Sequence, residues 1–121
     1  MKIKLILCLL EENNFDEIVS AFEIIGWNKP KSTYETYFQE QSNGIRSVIV
    51  AKDNGKFCGY VTIKWKSDYD SFARRNIPEI SDLNVLPTYR KHGIGTALLN
   101  VCEAMAKTWL YKHRIGSWHD R

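Results

Sequence analysis

Cysteine is scarce in this 121-residue chain: three in all. Cys8, Cys58 and Cys102 are an odd number, far apart, each inside an apolar stretch. That spacing excludes a disulfide framework and a zinc site, and fits reduced, buried thiols in a cytoplasmic protein. Long apolar runs are missing too, so nothing approaches the roughly 20 residues that a membrane span needs. The N-terminal run Leu5 to Leu10 is six residues long and passes into Glu11-Glu12-Asn13-Asn14 with no small-residue cleavage site. It is therefore a first β-strand and not a signal peptide, whose apolar core runs to about 7–15 residues. No run of Lys and Arg interleaved with aromatics extends beyond a few residues, which argues against a nucleic-acid module. Repeats, linkers and low-complexity segments are likewise absent, and the length suits one domain with a single core.

What is present is ordinary in amount, at 44% hydrophobic and 26% charged residues, with a net charge of +3 that suits an anionic ligand. After the first strand, Asn13 or Asn14 can cap a helix whose apolar residues Phe15, Ile18, Val19, Phe22 and Ile25 keep helical spacing, with Gly26 where a terminal glycine belongs. Pro30 and Ser32 open a second short helix, with Ser32 and Glu35 spaced as a capping box. Tyr34, Tyr37 and Phe38 share one face of it, which is first of all a packing face, and Trp27 reads either as core or as site. Ile45–Ala51 and Phe57–Trp65 are strand-like, joined by Asp53-Asn54-Gly55, a strong hairpin turn because asparagine and glycine tolerate positive φ. Gly59 inside the second of these strands marks a bulge or a close backbone approach. Lys64-Trp65-Lys66 reads as a solvated edge with one buried tryptophan, and Ser67 to Asn76 as a polar loop.

The most informative stretch runs from Glu79 to Ala97. Between Glu79 and Val85 the apolar residues fall at Ile80, then Leu83 and Val85, so the alternation slips by one, as a β-bulge makes it do. Leu86 and Pro87 turn the chain into Arg90-Lys91-His92-Gly93-Ile94-Gly95-Thr96, a basic loop that opens a long amphipathic helix. Ile94, Leu98, Val101, Cys102, Met105 and Trp109 are its buried stripe. The first N–H groups of a helix have no intrahelical partner and sit at the positive end of its dipole, so this loop is built for phosphate. Leu98 stands where a dinucleotide fingerprint wants a third small residue, and the Gly-Lys-Ser/Thr of a P-loop is absent.

An Arg-x-x-Gly-x-Gly loop after a strand ending in Val-x-Pro resembles motif A of the GNAT acyltransferases, over roughly residues 1 to 108. The resemblance implies an α/β fold (an α+β mixed sheet) of the acyl-CoA N-acyltransferase type, and acetyl-CoA as the acyl donor. It also implies a primary amine on a small molecule or peptide as acceptor; amino acid, polyamine, aminoglycoside and protein N-terminus all fit. Arg90, Lys91, His92, Gly93, Ile94, Gly95 and Thr96 would hold the pyrophosphate. Asn84 and Val85 would pair with the pantetheine arm, and backbone N–H groups from Leu83 to Val85 would stabilise the oxyanion. A lysine-like amine has a reference pKa of about 10.4, so on the order of one in a thousand is neutral at pH 7, and a carboxylate must take up its proton. Glu79 matches the general base of histone-acetylating members, and Asp82 an acidic position common in bacterial ones. The helical region carrying Tyr34 and Tyr37 walls the acceptor site in that family.

The family continues with a fifth strand, a fourth helix carrying the acid tyrosine, and a closing strand pair. Here residues 109–121 show no strand alternation and read as an atypical tail behind a 1–108 partial domain. Read one base later, codons permitted for His113 to Arg121 can encode IGLGVGMT, close to the glycine-rich fifth strand of the family. The expectation is an out-of-frame extension that leaves the fourth strand as an open edge. Such an edge promotes pairing with another chain, a homo-oligomer included.

Overall fold

Strands that are apolar without alternation need cover on both faces, and the two central strands of this sheet have it. The computed structural model describes residues 2–66 and 77–112. The loop expected over Ser67 to Asn76 and the end of the tail, 113–121, lie outside the described residues. Four strands, β1 (Leu5–Leu9), β2 (Arg46–Asp53), β3 (Lys56–Lys64) and β4 (Glu79–Val85), form an antiparallel sheet in the order β1-β2-β3-β4. Helices α1 (Phe15–Ile24) and α2 (Lys31–Ser42) pack on one face and α3 (Ile94–Lys112) on the other. Along β2, Val48 and Val50 face the first core, which holds Phe22, Tyr34 and Tyr60, while Ile49 and Ala51 face the second, with Ile94, Leu98 and Cys102. The fold is therefore mixed α+β, with a sheet that is antiparallel throughout the described residues.

Local chemistry sets the ends of these elements. A short 3-10 turn, Glu12–Asn14, precedes α1, and the Asn14 side chain reaches back to accept the Glu11 N–H at 2.8 Å. The expected helix cap thus closes the turn before the helix. At the far end, Gly26 lies at φ +79 and donates to Glu23, Trp27 donates to Phe22, and the Trp27 ring stacks on Phe22 at 5.4 Å. This is a Schellman ending with its apolar contact. The capping box expected at Ser32 does not form: α2 starts at Lys31 after an extended Pro30, so Ser32 is already inside the helix. Gln41 ties α2 to the sheet, donating to the Leu10 carbonyl and accepting the Val48 N–H, both at 2.9 Å. The β2–β3 turn has Asn54 at φ 49 and Gly55 at φ 86, the two positive values of a type I′ hairpin.

Gly59 fulfils both readings offered for it. The register passes from Ala51↔Gly59 to Lys52↔Phe57, leaving Cys58 as the extra residue of a bulge. A Cβ on Gly59 would also lie 2.7 Å from the Asn84 carbonyl oxygen and 3.2 Å from the Val85 Cα. In α3, Ile94, Leu98, Cys102, Ala106 and Leu110 are buried, and Trp109 stacks on Trp65 at 5.8 Å. The helix continues through Trp109 to Lys112. Among the described residues no helix is long and apolar enough to cross a membrane.

Because β3 backs directly onto the β4 backbone, Gly59→Ala should force the strands apart and cost about 2 kcal/mol. Gly55→Ala, which meets no atom but must keep φ +86, should cost about 1 kcal/mol. Urea unfolding of the two variants checks the order; equal midpoints would refute the contact.

Candidate functional site

The slip read between Ile80 and Leu83 is a bulge. The β3–β4 register runs from Tyr60↔Asn84 to Thr62↔Ser81, so Asp82 and Leu83 together face one residue. Asp82 adopts φ +53, in the left-handed region. That conformation costs a non-glycine residue about 1 kcal/mol, and aspartate and asparagine tolerate it best. Leu83 then turns outward and is 41% exposed, whereas Ile80 and Val85 pack against the second core.

The Asp82 side chain is the most heavily bonded group in this region. Its Oδ2 accepts the hydroxyls of Tyr37 from α2 and Tyr60 from β3, each at 2.7 Å. Its Oδ1 accepts the Asn84 amide at 2.8 Å, and Lys29 Nζ lies 3.9 Å away. Burial alone would raise its pKa, but the bonds from Tyr60 and Tyr37, the Lys29 charge and the Asn84 amide together lower it. The tyrosines move the other way: burial, then hydrogen bonding and the Asp82 charge, push the Tyr60 hydroxyl far up, and burial takes Tyr34 up to about 12. All three hydroxyls stay protonated, and Tyr34 meets Tyr60 at 3.3 Å. Arg46 is buried beside them, with its guanidinium 4.4 Å over the Tyr37 ring, Glu40 at 3.0 Å and Thr62 Oγ1 at 2.7 Å. Thr62 in turn contacts Ser81 next to the bulge, Oγ to Oγ at 3.1 Å. Sequence reading treated Tyr34 and Tyr37 chiefly as packing and missed Tyr60 and Arg46. A tyrosine and an arginine in otherwise apolar strands were the available signal, since buried polar groups need partners.

Glu79 opens β4 opposite Lys64 in the register and is half-buried. At the other end of the strand, a 3-10 turn (Pro87–Tyr89) leads into the basic loop, where Lys91 has φ 66 and Gly93 φ 80. The Ala97 N–H bonds to the Gly93 carbonyl at 2.9 Å as the first helical bond of α3. The N–H groups of Ile94, Gly95 and Thr96 thus have no acceptor within the helix. These residues line a cleft of about 270 Å³ with Val85, Tyr89, Arg90, Lys91 and Gly93. His92 is exposed and is not among its lining residues. Arg90 is tied back, its Nε donating to the Val85 carbonyl at 3.3 Å and its guanidinium lying 5.6 Å from the Trp27 ring centre. A Cβ on Gly95 would meet only Val85 Cγ2 at 3.9 Å, so packing within the protein does not demand glycine there. The bare backbone leaves room for a ligand at the helix start. The structure thus assembles all the loop residues but His92 around one cleft at the end of β4, with Asp82 pinned beside the bulge.

The chain matches the model of the acetyltransferase (GNAT) family over residues 12–121. Among curated proteins no sequence match is found. Solved structures similar in fold include an aminoglycoside antibiotic 6'-N-acetyltransferase from Acinetobacter baumannii, at 17% identity and TM-score 0.69, covering 87% of this chain and 73% of that one. A ribosomal-protein-alanine N-acetyltransferase from Brucella melitensis gives 19% identity and TM-score 0.67, with 85% and 67% covered. An aminoglycoside 6'-N-acetyltransferase complexed with coenzyme A gives 22% identity and TM-score 0.60; the chain is covered over 85% of its length but spans only 56% of that enzyme.

A carboxylate whose pKa is lower in the folded protein than in the unfolded chain adds stability above the unfolded value of about 3.9. That stability is lost as pH falls through the folded value. Asp82→Asn should therefore be less stable than the parent by about 1–3 kcal/mol at pH 7, and the gap should close as pH falls below the unfolded value of about 3.9. Thermal melts across that range test it; a gap independent of pH would mean the charge contributes nothing.

Proposed function

The chain belongs to the GNAT acetyltransferase family, and on that basis we propose that it transfers an acetyl group from acetyl-CoA to a primary amine by direct attack. The observation that carries this reading is the α3 start, where three N–H groups without helical acceptors, two glycines and the cationic Arg90 and Lys91 surround one cleft at the end of β4. Bound there, acetyl-CoA supplies an activated thioester. The pyrophosphate lies against the N–H groups of Ile94, Gly95 and Thr96, with Arg90 and Lys91 adding charge; His92, expected to join them, lies outside the cleft. The pantetheine arm runs along Asn84 and Val85, and backbone N–H groups near Leu83 to Val85 receive the oxyanion. Glu79 is the general base, directly or through one water, and removes the ammonium proton as nitrogen attacks. Asp82 is the weaker choice for that role, because its oxygens already accept Tyr37, Tyr60 and Asn84. The acceptor is an amine on a small molecule or a protein, approached from the α2 side of β4.

A second reading is that the chain binds coenzyme A without efficient turnover. It is favoured by the outer edge of β4, which carries no strand among the described residues. In the family a fifth strand parts from β4 to admit the pantetheine arm. A thiol-release assay with a panel of amines, run beside calorimetry with coenzyme A, separates the two: binding with no release supports the second.

Gly93 meets no atom within 4 Å at its Cβ position. Gly93→Glu should therefore keep its fold, at a cost of about 1 kcal/mol for φ +80, and lose measurable affinity for coenzyme A. Unchanged affinity by calorimetry would remove the loop from the binding site. Glu79→Gln should lower turnover about 100-fold at pH 7 and progressively less toward pH 10, where the amine is already neutral. A loss that does not vary with pH would take the base role away from Glu79.

A further inference from the structure

Two of the three positive-φ residues without a glycine's freedom have an evident local cause: Asn54 sits in a tight hairpin, and Lys91 in the loop before a helix. Asp82 is different, since it lies inside a strand. What holds it there is its own side chain. Donors from three separate elements converge on one carboxylate: Tyr37 from α2, Tyr60 from β3 and Asn84 from β4. Lys29, from the segment between α1 and α2, lies at 3.9 Å. The two tyrosines are braced in turn, Tyr37 by the Arg46 guanidinium at 4.4 Å and Tyr60 by the Tyr34 hydroxyl at 3.3 Å. No buried polar side-chain atom among the described residues is left without a partner.

We infer that Asp82 is a positioning residue: its carboxylate, gripped by Tyr37, Tyr60 and Asn84, holds residue 82 left-handed and so fixes the β4 bulge at the point of acyl transfer. The inference rests on the acetyl-transfer reading of the site. An unbulged β4 would pair its backbone with β3 continuously and flip Leu83 and the residues before it to the opposite faces. The N–H groups between Leu83 and Val85 would then no longer point where an oxyanion forms. The clamp acts on the transition state: the cleft at the α3 start is lined by residues of the loop and of α3, and from β4 by Val85, three residues past Asp82. It also couples acceptor wall to acyl site, because Tyr37 belongs to α2 and the bulge to β4.

The test uses the full chain with Asp82→Gly, which relieves the backbone but removes the carboxylate, and Tyr37→Phe, which keeps the ring and removes one donor. Turnover of acetyl-CoA with an accepted amine should fall about 100-fold in the first and about tenfold in the second, the range seen for misplaced oxyanion donors. Affinity for coenzyme A by calorimetry should fall by no more than about threefold, because the pyrophosphate contacts at the α3 start stay in place and only the pantetheine pairing along Asn84 and Val85 is disturbed. The loss should be the same from about pH 6.5 to pH 9, where Asp82 is ionised and the Tyr37, Tyr60 and Tyr34 hydroxyls, all raised, stay protonated; Lys29 and, behind Tyr37, Arg46 are the cations that face this cluster. Amide exchange at Leu83–Val85 should quicken about tenfold in Asp82→Gly as the local structure opens. Unchanged turnover overturns the inference, as does a loss that disappears at high pH, which would make Asp82 a base. If Asp82→Gly does not fold, Tyr37→Phe decides by the same measurements. If the parent neither binds coenzyme A nor releases thiol, the acetyl-transfer reading is what fails; unchanged exchange at Leu83–Val85 then refutes the clamp independently.

Discussion

The Asp82 carboxylate joins α2, β3 and β4 at the residue where β4 leaves its register, and much of the surrounding architecture follows from satisfying it. A charge that is half-buried needs several donors, and each donor must itself be packed and protonated. That is why two tyrosine hydroxyls approach to 2.7 Å in an otherwise aromatic core, and why Tyr34 and Arg46 stand behind them. Such a network is costly when incomplete and rigid when complete. Here it is complete among the described residues, so it sets the spacing between α2 and the sheet at the same time as the bulge.

A second constraint works on the opposite side of β4. Gly59 lets the β3 backbone come close to Asn84 and Val85, while Val85 packs toward α3 and accepts a hydrogen bond from Arg90. The end of β4, the basic loop and the start of α3 are therefore held as one piece. The N–H groups of Ile94, Gly95 and Thr96 have no acceptor within the helix and lie at the positive end of its dipole, an arrangement that favours anions in general. Arg90 reaches back to Val85 and Trp27, which shapes the loop.

Much of this was legible from residues alone, and for identifiable reasons. The helix stripes, the Asn54-Gly55 turn, the Gly26 ending and the doubled role of Gly59 are local rules, decided by a few neighbouring residues. The bulge was visible because period-2 alternation has no tolerance for an extra residue. That a glycine-bearing loop opens α3 could be read because helix starts and glycine spacing are displayed directly by the sequence.

What sequence left open was every question that depends on which side chains from distant segments meet. Tyr37 and Asp82 stand 45 positions apart, and nothing local to either signals their bond. Nor does anything near Ser32 show that α2 would start two residues sooner, after Pro30, and undo the capping box. Asp82 and Glu79 are equivalent acids on paper. Tertiary structure alone separates them, by filling the hydrogen-bonding capacity of one with tyrosines and placing the other at the head of the strand. The sequence by itself determined the elements, the bulge and the glycine-bearing loop before α3, because short-range sterics and backbone hydrogen bonding decide those. Which donors the Asp82 carboxylate meets was decided only in the folded chain, where α2 and β3 bring two tyrosine hydroxyls to it.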